Sequence, residues 1–77
     1  RDRDILVRTP QPLARIQART LLAMLDGAPC RIDAQLETPG GAVALREWAG
    51  FAQRVLLKSS VGPCLCEDPW AVRERAA

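Results

Sequence analysis

Thr38 to Lys58 reads TPGGAVALREWAGFAQRVLLK. At ~100° per residue, Leu45, Trp48, Phe51, Ala52, Val55 and Leu56 gather on one side of a helix begun at Gly41. Arg46, Glu47, Gln53, Arg54 and Lys58 gather on the other. Thr38 to Gly41 supplies a turn and a helix start, with Pro39 presetting the backbone and the glycines permitting positive φ. Lys58 would close the helix where its dipole favours a cation. The stretch therefore predicts a strong amphipathic helix over 41–58 that leaves Val43 and Leu57 off its apolar face.

A second helix is expected upstream. Thr9 and Pro10 have the residue types of an N-cap and a first helical position. Pro12 falls within the first turn, where its missing N–H is tolerated. The helix would run to Asp26, with Gly27 as a left-handed C-terminal cap and Pro29 blocking continuation. Leu13, Ala18, Leu21, Leu22, Met24 and Leu25 cover about half of its circumference by the same angular count, while Ile16 lies outside that arc. Asp68 and Pro69 read as the start of a short terminal helix through Arg75.

Between the helices, Cys30 to Glu37 (CRIDAQLE) alternates. Ile32, Ala34 and Leu36 oppose Arg31, Asp33, Gln35 and Glu37, which suits a half-buried strand. Asp33 capping one helical turn is the competing reading. The candidate strand partner is Ile5 to Val7, in a segment (residues 1–8) that also reads as an arm. The fold class expected is mainly α: two long amphipathic helices, a short C-terminal helix, and at most one short strand pairing, with α+β as the alternative. Residues 1–77 are taken as one small domain.

Composition limits the functions available. The chain has 77 residues, a formal net charge of +2 and 48% hydrophobic residues. A chain of this size buries only ~60% of the surface its unfolded form exposes. Two broad apolar helix faces exceed what so small a core covers, and surplus apolar surface marks contact sites. The expected function is a non-catalytic protein–protein interaction module. A small bacterial regulator, an antagonist or adaptor that binds a larger protein or homodimerises, fits that description. Its contact residues would be Leu6, Val7, Ile16, Leu22, Val43, Leu57 and Trp70.

Chemistry finds little purchase in this reading. The chain has no His and no Tyr, so the commonest general base and metal ligand is missing. Thr38 to Gly41 lacks the Gly-Lys-Ser/Thr element of a phosphate loop, and no cofactor motif or small-molecule substrate is evident. The carboxylates form no catalytic pair: Glu47 sits on a polar helix face near Arg54, and Glu67 and Asp68 suit a helix start. Cys64-Leu65-Cys66, with Cys30, offers a third-ranked metal or redox reading, against buried or partly exposed thiols with no special role. Arg46, Gln53, Arg54 and Lys58 give a second-ranked reading as a weak nucleic-acid-binding regulator. The long linker from Gly27 to Gly41 departs from a helix-turn-helix, and the charge is a weak basic footprint.

No apolar run reaches the ~20 residues a membrane helix needs. An odd number of cysteines with no visible leader suits a reducing cytoplasm. The chain opens on Arg1 rather than Met, which leaves room for residues ahead of it.

Overall fold

A computed structural model describes residues 2–72. The chain builds a five-stranded mixed sheet in the order β1-β2-β3-β4-β5, not a helical bundle. Its elements are β1 (Asp2–Arg8), α1 (Arg15–Asp26), β2 (Arg31–Thr38), β3 (Gly41–Ala44), α2 (Leu45–Trp48), β4 (Val55–Ser59) and β5 (Gly62–Cys66). β1 and β2 run parallel, joined through α1. β2 to β5 form an antiparallel succession.

The helix expected over 41–58 is the largest correction. Only Leu45–Trp48 is helical there, between strands β3 and β4. Gly50 stands in the middle of the stretch, where it weakens a helix by ~1 kcal/mol relative to Ala. Val55 and Leu57 also alternate with Leu56 and Lys58, a period of two that suits a strand. The residues left off the helical face explain the outcome. Val43 and Leu57 are direct partners across β3 and β4, and both are fully buried.

The first helix begins later than its prolines suggest, at Arg15 rather than Pro10. The residues ahead of it are held out of the helix, with a bend at 10–11, by contacts that a helix would forfeit. Thr9 donates both its N–H and its Oγ1 hydroxyl to the Glu37 carbonyl, each at 2.8 Å. The indole of Trp70 donates to the Thr9 carbonyl at 2.7 Å, and that of Trp48 to the Leu13 carbonyl at 2.7 Å. Gln17 accepts the Ala14 N–H at 3.0 Å and so closes the helix start. At the other end Gly27 is right-handed, with φ −80°, not the left-handed cap expected.

Of the two readings of Cys30–Glu37, the structure has the strand, and its residues Arg31–Glu37 pair with β1. The terminal helix expected from Asp68 is a turn over 69–71 as far as the described residues reach. Residues 73–75 of that expectation lie outside them.

The sheet has one covered face. Ala34, Leu36, Val43, Val55 and Leu57 pack there with Ala18 of α1, Leu45 and Trp48 of α2, and Trp70. Trp48 and Trp70 meet edge to face at 5.4 Å between ring centroids, a geometry aromatic quadrupoles favour. Arg15 ties the loop after α2 to α1. Its guanidinium donates to the carbonyls of Trp48, Gly50 and Ala52 at 2.7–3.0 Å and lies 4.1 Å from the Trp48 ring centroid. Arg19 repeats the device, donating to Ala49 and Gly50 and stacking over Phe51. Arginine suits this because one planar fork serves several acceptors and a ring face together.

Candidate functional site

Strand register decides what the opposite face of the sheet presents. Side chains alternate along a strand, so the residues that face away from the core on β1 are Asp2, Asp4, Leu6 and Arg8. In the parallel pair, Asp2 lies beside Arg31, Asp4 beside Asp33, Leu6 beside Gln35 and Arg8 beside Glu37. Two carboxylates thus stand side by side at one end of the sheet. Like charges directly opposite one another destabilise a strand pair. Where a fold breaks a local rule of this kind, a functional position is the expected reason.

A pocket of about 350 Å³ opens at this end. β2 extends past β3, whose last paired residue, Ala44, lies opposite Gln35. The chain then turns into α2 and leaves Arg31–Ala34 without a strand neighbour on that side. The space beside this free edge is lined by Asp4, Arg31, Asp33, Gln35, Leu45 and Arg46 among others. Gln35 Oε1 is buried there and has no hydrogen-bond partner. An unmet buried acceptor costs ~1–3 kcal/mol, which a ligand donor would relieve.

Two arginines border the carboxylates. Arg31 Nε lies 3.4 Å from Asp33 Oδ1. Arg46 makes a two-pronged contact with Asp26, at 2.7 and 3.3 Å. The hydrogen bond from Arg46 holds the Asp26 carboxyl below its ordinary range, and the same bond holds Arg46 above its own. Planar guanidinium groups match phosphate as well as carboxylate. The pocket therefore combines proton-accepting carboxylates, phosphate-matching cations and an unmet amide oxygen.

The residues expected to make contacts lie elsewhere. Val43, Leu57 and Trp70 are in the core, and Val7 and Leu22 are partly buried against it. Leu22 also reaches the rim of the pocket. Leu6 and Ile16 are exposed. The structure does not bring these seven together in one patch. Cys30, Cys64 and Cys66 are free thiols. Burial, then the nearby Cys64, pushes the Cys66 thiol up. Among the described residues no group of three or more His, Cys, Asp or Glu side chains is placed to hold a metal ion, and no helix is long and apolar enough to cross a membrane.

Sequence reasoning passed over Asp2, Asp4 and Asp33. A signal was present: Asp-Arg-Asp ahead of Ile-Leu-Val puts two carboxylates on one face of a strand. That Asp33 would stand beside Asp4 depends on the register that α1 imposes, which no local pattern contains.

Comparison with known proteins places the chain in a family. Residues 2–69 match the family described as phosphoribosyl-dephospho-CoA transferase MdcG C-terminal domain. A protein of Pseudomonas putida (strain GB-1) called phosphoribosyl-dephospho-CoA transferase is 75% identical over 76 residues, covering 99% of this chain and 37% of its own length. Proteins of the same name in Azotobacter vinelandii and Pseudomonas aeruginosa are 59% and 55% identical, covering 99% and 95% of this chain and 35% of their own lengths. The chain thus spans little more than a third of these relatives. No solved structure matches it significantly. These findings overturn the expected non-catalytic regulatory module, together with its nucleic-acid and thiol alternatives, because the relatives carry the name of an enzyme.

Proposed function

The chain belongs to the phosphoribosyl-dephospho-CoA transferase MdcG C-terminal domain family, and on that premise we propose that it forms part of a transferase active site for a phosphoribosyl-dephospho-CoA group. The observation that carries this reading is the placement of Asp4 beside Asp33 at a pocket that also holds Arg31, Arg46 and the unmet oxygen of Gln35. The group to be moved is rich in phosphate. Arg31 and Arg46 offset its negative charge, and each exchanges a carboxylate partner for a phosphate oxygen in doing so. Asp4 or Asp33 accepts the proton that the incoming nucleophile gives up as its bond to the transferred group forms and the bond to the leaving group breaks. Positioned acid–base groups of this kind contribute ~10²–10⁴-fold in rate.

The test places this chain in its longer context. It would replace the matching segment of the Pseudomonas putida GB-1 relative, and transferase activity would be compared with and without Asp33→Asn and Asp4→Asn. Substitution of the carboxylate that takes the proton should lower kcat by at least ~100-fold, and neither substitution should lower the thermal midpoint, since each removes a like-charge pair. Full activity in both variants refutes the assignment.

A further inference from the structure

A second cavity, of about 670 Å³, lies at the other end of the open face. Its position follows from one row of cross-strand neighbours: Arg8, Glu37, Ala42 and Lys58 on β1, β2, β3 and β4. Ala42 is the small residue of the row, and Gly41 beside it has no side chain. Gly41 takes φ +150°, and a Cβ there would collide with the Lys58 carbonyl. Gly41 thus lets β3 lie close against β4, and the small Ala42 leaves a hollow that Leu6 also lines, with Pro10 and Pro39 among its walls.

Charge is uneven across this hollow. Arg8 has Glu37 as a partner, with Nε 3.4 Å from Oε1. Lys58 is exposed and enters no ion pair among the described residues. Three strand spacings separate Arg8 from Lys58, ~14 Å. The combination is an apolar floor with an uncommitted ammonium at its rim. Such a site fits a flat apolar ring joined to phosphate, because the ring covers the floor while the ammonium meets the anion.

We propose that this groove binds the adenine nucleotide end of a dephospho-CoA-type ligand, with Lys58 as its phosphate contact. The ligand class rests on the transferase reading above. Distance supports the link: Asp4 and Arg8 are four residues apart on one strand, ~13 Å, so an extended ligand lying along β1 spans both ends of the face.

Amide chemical shifts of the isotope-labelled chain, titrated with ADP, adenosine and inorganic diphosphate, test it. ADP should move the amides of Glu37, Ala42 and Lys58, and should bind more tightly than adenosine or diphosphate alone. Lys58→Ala should weaken ADP ~10-fold, with Lys58→Arg restoring most of the affinity. Ala42→Leu, which fills the floor without changing charge, should abolish the shifts while the rest of the spectrum stays folded. ADP shifts confined to Asp4, Asp33 and Arg46 overturn the groove and leave the transferase reading intact. Shifts confined to the groove uphold it and count against phosphate recognition at the acidic end. No shifts at either end overturn it.

Discussion

The two faces of the sheet obey different rules. On the covered face, Leu36, Val43, Val55 and Leu57 are fully buried, and α1, α2 and two tryptophans close over them. The polar groups that come with these elements find partners: both indoles donate to carbonyls, and Thr38 Oγ1 donates to Pro69 while accepting from Gly40. On the open face, carboxylates stand side by side, an amide oxygen is buried without a partner, and Lys58 lacks a counter-charge among the described residues. One face is arranged for stability. The other retains unmet interactions, which is what a binding surface needs before its ligand arrives.

If that contrast is right, truncation on the covered face has the largest effect. Leu57→Ala leaves a cavity in the core under β4 and should cost ~2–5 kcal/mol, enough to unfold much of so small a domain. Leu65→Ala, at an exposed position on β5, should change stability by under ~0.5 kcal/mol. Urea denaturation of the two variants measures both. Equal losses would mean that the faces do not differ as described.

Next in size is the arginine that fastens the loop after α2. Arg15→Ala removes donors from three carbonyls and a cation from the face of Trp48. A loss of ~1.5–3 kcal/mol is expected, with faster hydrogen exchange over 49–54. Arg15→Lys should recover only part of it, since an ammonium does not reproduce the fork. Full rescue by lysine would show that charge alone fastens this loop.

A stabilising substitution sharpens the contrast from the other side. Gln35→Leu removes the unmet oxygen from the open face and should raise stability by ~1 kcal/mol. The same change should weaken dephospho-CoA binding at the acidic end, because the ligand loses an acceptor. Thermal midpoint and titration calorimetry read the two effects separately. A variant that is both more stable and equally good at binding would remove Gln35 from the site.

How much of this was legible in the sequence also differs between the faces. The covered face writes itself in hydrophobic residues, and the alternation of Ile32, Ala34 and Leu36 suits β2 without excluding a helical turn capped by Asp33. The alternation is hidden at 41–58 because Leu45, Trp48 and Val55 keep helical spacing, although only Leu45–Trp48 is helical and Val55 opens β4. Gly50 and the misplaced Val43 and Leu57 were the evidence against the helix. The prolines at 10 and 12 are ambiguous for a related reason: they suit a first helical turn, but carbonyls claimed by Trp48 and Trp70 hold that segment out of the helix. The open face was less legible still. Asp2, Asp4, Asp33 and Gln35 are ordinary polar residues until the parallel register sets them together.

The smallest effect concerns the pair at the lip where the two faces meet. Asp26 ends α1, Arg46 lies on α2 and lines the pocket, and their bond ties the two helices. Arg46 lowers the Asp26 carboxyl from its usual 3.8, so the pair contributes stability that is present above that value. The contribution is lost as pH falls below 3.8 and through the lowered value, since the protonated acid no longer attracts the guanidinium. Both groups are largely in solvent, so the effect is slight and salt screens it. Asp26→Asn should lower the thermal midpoint a little at neutral pH in low salt and not at all in strong acid. The same substitution releases Arg46. If Arg46 meets ligand phosphate, Asp26→Asn should tighten dephospho-CoA binding even as it weakens the fold. Unchanged affinity would mean that Arg46 holds the helices together and takes no part in recognition.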